Sequence, residues 1–132
     1  MKVVGFVGSP RHNGNTDVLV QQVLDGAAEA GADVEKFYIN DMDFKGCQGC
    51  GYCRTTDGCK LEDDMTKAYD IIKNADGIVF GSPIYFFQMT GQMRLFLDRC
   101  YALLNNDHTP RIESGKKAVI VGAQGAPDAA AF

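Results

Sequence analysis

Cys47, Cys50, Cys53 and Cys59 fall within thirteen consecutive positions, separated by two, two and five residues. Three thiols at three-residue intervals let a tightly coiled backbone present three thiolates to one iron–sulfur cubane. Cys59 is near enough in sequence to be the fourth ligand. Gly46, Gly49, Gly51 and Gly58 permit that coil and let backbone N–H groups approach sulfur, which tunes a cluster's potential. Four thiolates leave a cubane a net anion, and Lys45, Arg54 and Lys60 flank the run with positive charge. Two other chemistries suit the same residues. Zinc is one, although its sites usually join two Cys-x-x-Cys knuckles across a longer spacer. Thiols that are inert or redox-active without a metal are the other.

A second group with chemical meaning is Gly8-Ser-Pro-Arg-His-Asn-Gly-Asn-Thr16. It lies between a β-rich run and a helical pattern, where backbone N–H groups and a helix start can hold a phosphate. Ser9, Asn15 and Thr16 add hydroxyl and amide groups, and Arg11 adds a charge; His12 reads as a solvated loop residue. Five residues separate Gly8 from Gly14 and Asn15 follows, so this is not a Walker A loop. Gly5 and Gly8 also fail to make the dinucleotide G-x-G-x-x-G fingerprint. A monophosphate suits the loop, and so does a polar turn whose side chains merely cap the helix.

The third group is Gly81-Ser-Pro-Ile-Tyr-Phe-Phe-Gln-Met-Thr-Gly91. Three consecutive aromatics cannot all face one core, so at least one is expected to cover a flat ligand or a subunit interface. Local core packing remains open for Phe86 or Phe87 individually.

These groups need a frame. Lys2–Val7 reads as a strand, and Leu19, Val23 and Ala27, with Val20, Leu24 and Ala28 beside them, as a helix. Residues 33–39 make a second strand, and residues 40–62 an ordered loop holding the cysteines. A second helix starts near Asp63 or Asp64, with Met65, Ala68, Ile72 and Ala75 on one face. Here Glu62-Asp63-Asp64 reads as helix start and solvated charge. Residues 77–81 form a short buried strand. A third helix carries Met93, Phe96, Leu97, Cys100 and Leu104, and Cys100 reads as core. Residues 117–121 make a fourth strand. Alternation of this kind predicts an α/β fold: one domain over residues 1–132, with a doubly wound parallel sheet.

The balance of thirteen Lys and Arg against seventeen Asp and Glu gives a net charge of −4. No basic stripe is available for nucleic acid. No apolar run approaches a membrane span, and the N-terminus lacks a signal h-region, so a cytoplasmic protein is expected.

Together, Gly8-Ser-Pro-Arg…Gly-Asn-Thr16 and Gly81-Ser-Pro-Ile-Tyr…Thr-Gly-Gln-Met-Arg-Leu-Phe-Leu-Asp-Arg99 resemble the flavodoxin-like NAD(P)H-dependent FMN reductase superfamily. The compact cysteine run after the second strand resembles its iron–sulfur flavoprotein branch. The resemblance implies FMN, with its phosphate held by Ser9, Arg11, Asn15 and Thr16. Its ring would lie against Ser82, Pro83, Ile84, Tyr85 and Phe86, with Gly122 and Gln124 on the remaining wall. It implies a [4Fe–4S] cluster on Cys47, Cys50, Cys53 and Cys59, a donor such as NAD(P)H or ferredoxin, and a homodimer or homotetramer. An NAD(P)H-dependent FMN or quinone reductase without a cluster is the alternative; a zinc- or thiol-stabilised FMN-binding redox sensor is a further one. The resemblance also implies the sheet order 2-1-3-4 with a fifth strand missing or supplied elsewhere. Either the chain is shortened or a neighbouring subunit covers its fourth strand.

Overall fold

The computed structural model describes residues 1–128 and Ala130. The strands are β1 (Lys2–Val7), β2 (Asp33–Tyr38), β3 (Gly77–Tyr85), β4 (Gln88–Met89) and β5 (Lys117–Ala123). The α-helices are α1 (Asn15–Glu29), α2 (Tyr52–Thr55), α3 (Met65–Asn74) and α4 (Gly91–Arg99), with 3₁₀ turns at Ile39–Asp41 and Cys100–Leu103. β2, β1, β3 and β5 run parallel in that order, as expected for the four long strands, and β4 folds back antiparallel on β3.

Strand β1 is central, and its side chains alternate between two cores. Val4 and Phe6 face α3 and α4, where Phe6 lies 4.7 Å from Phe96 and 5.6 Å from Phe37 between ring centroids. Val3 and Val7 face α1, packing with Val20, Leu24 and Val79. Burial on both faces explains why β1 is apolar almost throughout. On α1 the fully buried stripe is Val20 and Leu24; Leu19 is exposed, while Val23 and Ala27 are partly buried. All four residues expected on the inner face of α3 are buried.

The chain steps from β1 outward to β2, then returns across β1 to β3, so the carboxyl ends of β1 and β3 diverge at a topological switch point. Thr90 ties this point together. Its hydroxyl donates to the Gly8 carbonyl at 2.6 Å and accepts from Met93 N–H at the start of α4. Its own N–H donates to Ser82 Oγ at 3.0 Å.

The turn joining β3 to β4 departs from ordinary turn chemistry. Phe86 and Phe87 have φ of +47° and +68°, the pair of left-handed values a two-residue hairpin needs but aromatics disfavour. Both are exposed, Phe86 at 95%, so neither packs in the core. Phe86→Asn is expected to raise the unfolding free energy by about 1 kcal/mol, since Asn adopts the left-handed region more readily. Urea denaturation reads the gain, and a loss of stability would contradict it.

On β5 itself Val119 and Ile120 are exposed, and a groove of about 730 Å³ runs beside the strand between Leu97, Leu104, Ile112 and Ala118. The small-residue tail lies partly outside the described residues.

Candidate functional site

A cleft of about 370 Å³ opens at the switch point. The structure gathers Ser9, Arg11, Asn15 and Thr16 from one expected wall and Pro83, Ile84 and Tyr85 from the other; Gln124 closes the third side. Asn13, Gly14, Ala123 and Gly125, from the same loops, join them. Three expected residues do not line this cleft. Ser82 is buried and engaged with Thr90 and the Pro83 carbonyl, Phe86 projects from the hairpin turn, and Gly122 is exposed.

The first turn of α1 borders the cleft. Gly14 is its N-cap, and no side chain caps the helix. The alternative of a turn whose Ser and Asn side chains merely cap the helix is therefore not met, and the first N–H groups keep their affinity for an anion beside Arg11. An anionic group with a flat apolar body fits this set of donors and the Pro83–Tyr85 wall.

Asp17 holds the loop in place from behind. It is 2% exposed, and its carboxylate accepts from Asn13 N–H at 2.7 Å, Lys36 Nζ at 2.6 Å and Tyr38 Oη at 2.9 Å. Burial works against its charge, but the bonds from Lys36, Asn13 and Tyr38 outweigh that and hold its carboxyl below the ordinary range. His12 is not simply solvated: it stacks on Tyr38 at 3.9 Å and meets Asp41 at 2.9 Å. Asp17→Ala leaves three donors without an acceptor. It is expected to cost about 1–3 kcal/mol of stability and to weaken anion binding in the cleft. Denaturation and flavin titration check both; an unchanged affinity would show that Asp17 does not set the loop.

The four clustered cysteines line a separate cavity of about 290 Å³, which Arg54, Lys60, Arg99 and Tyr101 also line. Cys47 and Cys50 are exposed, while Cys53 and Cys59 are half-buried. Gly49 and Gly51, at φ +61° and +73°, supply the left-handed backbone that turns the run between the first three thiols. The segment is not wholly irregular: residues 52–55 form α2, and Arg111 clamps it by donating to the Cys53 and Thr56 carbonyls at 2.7 and 2.9 Å. Leu61 N–H donates to Cys59 Sγ at 3.4 Å. Among the described residues no three Cys, His, Asp or Glu side chains are drawn together as a ligand set. The thiol chemistry, the shared cavity, the flanking cations and the N–H to sulfur fit a cluster better than zinc, since no second knuckle lies across a spacer.

The reading of Asp63 as solvated charge is corrected. Its two oxygens take Nη1 and Nη2 of Arg99 at 2.7 and 3.0 Å, and Arg99 is 2% exposed. The pair was not legible in the sequence because its partners lie 36 positions apart. Cys100 is core-like as expected, and burial pushes its thiol up to about 12.

Residues 1–131 match the model of the NADPH-dependent FMN reductase family. The chain belongs to this family. The FMN reductase resemblance thus holds for nearly the whole sequence. An iron-sulfur flavoprotein of Methanocaldococcus jannaschii is 39% identical over 99 residues, 75% of this chain and 51% of that protein. One from Archaeoglobus fulgidus is 32% identical over 97% of this chain and 58% of its own length. The chain thus spans little more than half of these relatives. Among solved structures, an apo NADH:FMN oxidoreductase superposes with a TM-score of 0.67 at 26% identity, over 96% of this chain and 59% of that one. An NAD(P)H:quinone oxidoreductase from Methanothermobacter marburgensis, at 19% identity and TM-score 0.76, covers 97% of this chain and 68% of its own, and shows the same fold. As a member of the FMN reductase family, the chain places its cleft where doubly wound sheets hold ligands, outside the carboxyl ends of the strands. No helix among the described residues is long and apolar enough to cross a membrane.

Proposed function

We propose that this chain is an FMN-dependent electron-transfer oxidoreductase whose four clustered cysteines carry a [4Fe–4S] cluster. The observation that carries the reading is the coexistence of two sites in an FMN reductase family fold: an uncapped helix start facing an apolar wall, and a cavity lined by all four cysteines. Relatives named as iron-sulfur flavoproteins support the second half. FMN supplies one- and two-electron chemistry when bound, and the cluster single-electron chemistry.

The chain's own residues bind, orient and shield. Arg11, Ser9 and the first turn of α1 receive the phosphate, with Asn15 and Thr16 beside it. Pro83, Ile84 and Tyr85 give the ring a flat, partly apolar wall, and Gln124 closes the cleft. Asp17 fixes the first loop against β2, and Thr90 ties the two loops to each other. Cys47, Cys50, Cys53 and Cys59 would hold the cluster, with α2 and the Arg111 clamp positioning Cys53. NAD(P)H, or a ferredoxin, would be the donor. Val119 and Ile120 give a second copy an apolar edge to cover in a homodimer or homotetramer.

A cluster-free NAD(P)H-dependent FMN or quinone reductase is the second reading, favoured by the absence of a gathered ligand set among the described residues. Anaerobic titration of the flavin-loaded protein with NADPH, followed by its absorbance, tests the proposal. Bleaching of flavin together with bleaching of a broad iron–sulfur band is expected. Bleaching of flavin alone would give the second reading, and no response from either would sink both.

A further inference from the structure

The cysteine cavity has one wall that the cysteines do not explain. Arg99 is buried there with both terminal nitrogens engaged, Nη1 to the Lys45 carbonyl at 2.6 Å and to Asp63, Nη2 to Asp63. Its Nε–H has no partner among the described residues. An unsatisfied donor on a buried cation is costly, and folds keep one where something else requires the charge. The cavity that Arg99 lines is also lined by all four clustered cysteines. Cys59 is one of them, and from behind the Tyr69 hydroxyl donates to the Arg99 carbonyl at 3.1 Å. Arg99 thus presents a fixed positive charge to the cavity of the candidate ligands, and Asp63 partly cancels it.

We propose that the Arg99–Asp63 pair sets the reduction potential of the iron–sulfur cluster, Arg99 as a positioning and charge-supplying residue on the Cys59 side. The inference rests on the cluster reading above. Accepting one electron adds a negative charge to a group that is already a net anion. A nearby cation therefore favours the reduced form, and a nearby carboxylate opposes it. The two halves of one ion pair should act with opposite signs. A purely structural role would not do this: loosening the site from either end admits water and moves both variants the same way.

The test is a mediated dithionite titration of anaerobically prepared holoprotein, followed by the spectrum of the reduced cluster. Arg99→Gln should lower the reduced-to-oxidised ratio at fixed potential about tenfold, about 59 mV for a one-electron couple. Asp63→Asn, which keeps one acceptor for Arg99, should raise that ratio, and Arg99→Lys should change it by less than about threefold. If Arg99→Gln does not fold, the upward shift in Asp63→Asn decides the matter. Shifts of the same sign, or none, would overturn the role of the pair while leaving the cluster in place. A wild-type protein without iron and acid-labile sulfide would overturn the cluster reading, and this inference with it.

Discussion

Asp63→Ala is expected to lower the unfolding free energy by about 3–5 kcal/mol. The Arg99 side chain is 1% exposed and that of Asp63 16%, so removing the carboxylate strands a cation that water cannot reach. Two further links go with it, because Asp63 also accepts from Met65 N–H at 3.1 Å and from Lys45 N–H at 3.4 Å, and so joins the start of α3 to the cysteine loop. Burial raises the energy of the Asp63 carboxylate, yet the Arg99, Met65 and Lys45 bonds prevail and hold its pKa below the ordinary value. A depressed carboxyl stabilises the fold fully above its unfolded pKa, near 4, and the contribution is lost as pH falls through the folded value. The wild type should therefore lose this contribution below about pH 4, and Asp63→Ala should lack that part of the acid response. Urea denaturation at neutral and acidic pH measures both; a neutral-pH loss under 1 kcal/mol would show the pair to be dispensable.

Gly81→Ala should damage the fold and the cleft together. A Cβ at position 81 would sit 2.2 Å from Val20 Cγ2 and 3.2 Å from Thr16 Cγ2. Val20 is fully buried and stiff at χ1, so it cannot swing aside, and the first turn of α1 must lift off the sheet. Overpacking of this kind costs about 1–3 kcal/mol, against a gain of about 0.4–1 kcal/mol from a less flexible unfolded chain. Thr16 and the N–H groups of that turn would move with the helix, so flavin affinity should fall about tenfold or more. In a Val20→Ala background the same substitution should cost markedly less, giving a coupling of about 0.5–3 kcal/mol. Additive effects, or a Gly81→Ala protein with normal flavin affinity, would show that close packing of α1 on β3 does not set the cleft.

Much of the cleft was legible because its residues sit at strand ends that the sequence pattern marks. Lys2–Val7 is apolar after its first residue and ends in Gly8-Ser9-Pro10, and both loops of the cleft follow such runs. The cysteines were legible from spacing alone. What escaped depends on partners distant in sequence. Asp63 meets Arg99, and Asp17 meets Lys36 and Tyr38; local charge patterning gives no hint of either. On α1 two adjacent apolar stripes compete, and only packing against Gly5 and Gly81 selects Val20 and Leu24 over Leu19. The Phe86–Phe87 turn was hidden because its residues contradict the conformation they adopt. Such conflicts between local preference and fold gather at functional sites.

One measurement bears most directly on the whole account: FMN, iron, acid-labile sulfide and zinc per chain after anaerobic purification. The account predicts about one FMN with about four iron and four sulfide, and no stoichiometric zinc. A protein that retains no flavin under any anaerobic condition, or that carries zinc in place of iron, would contradict it.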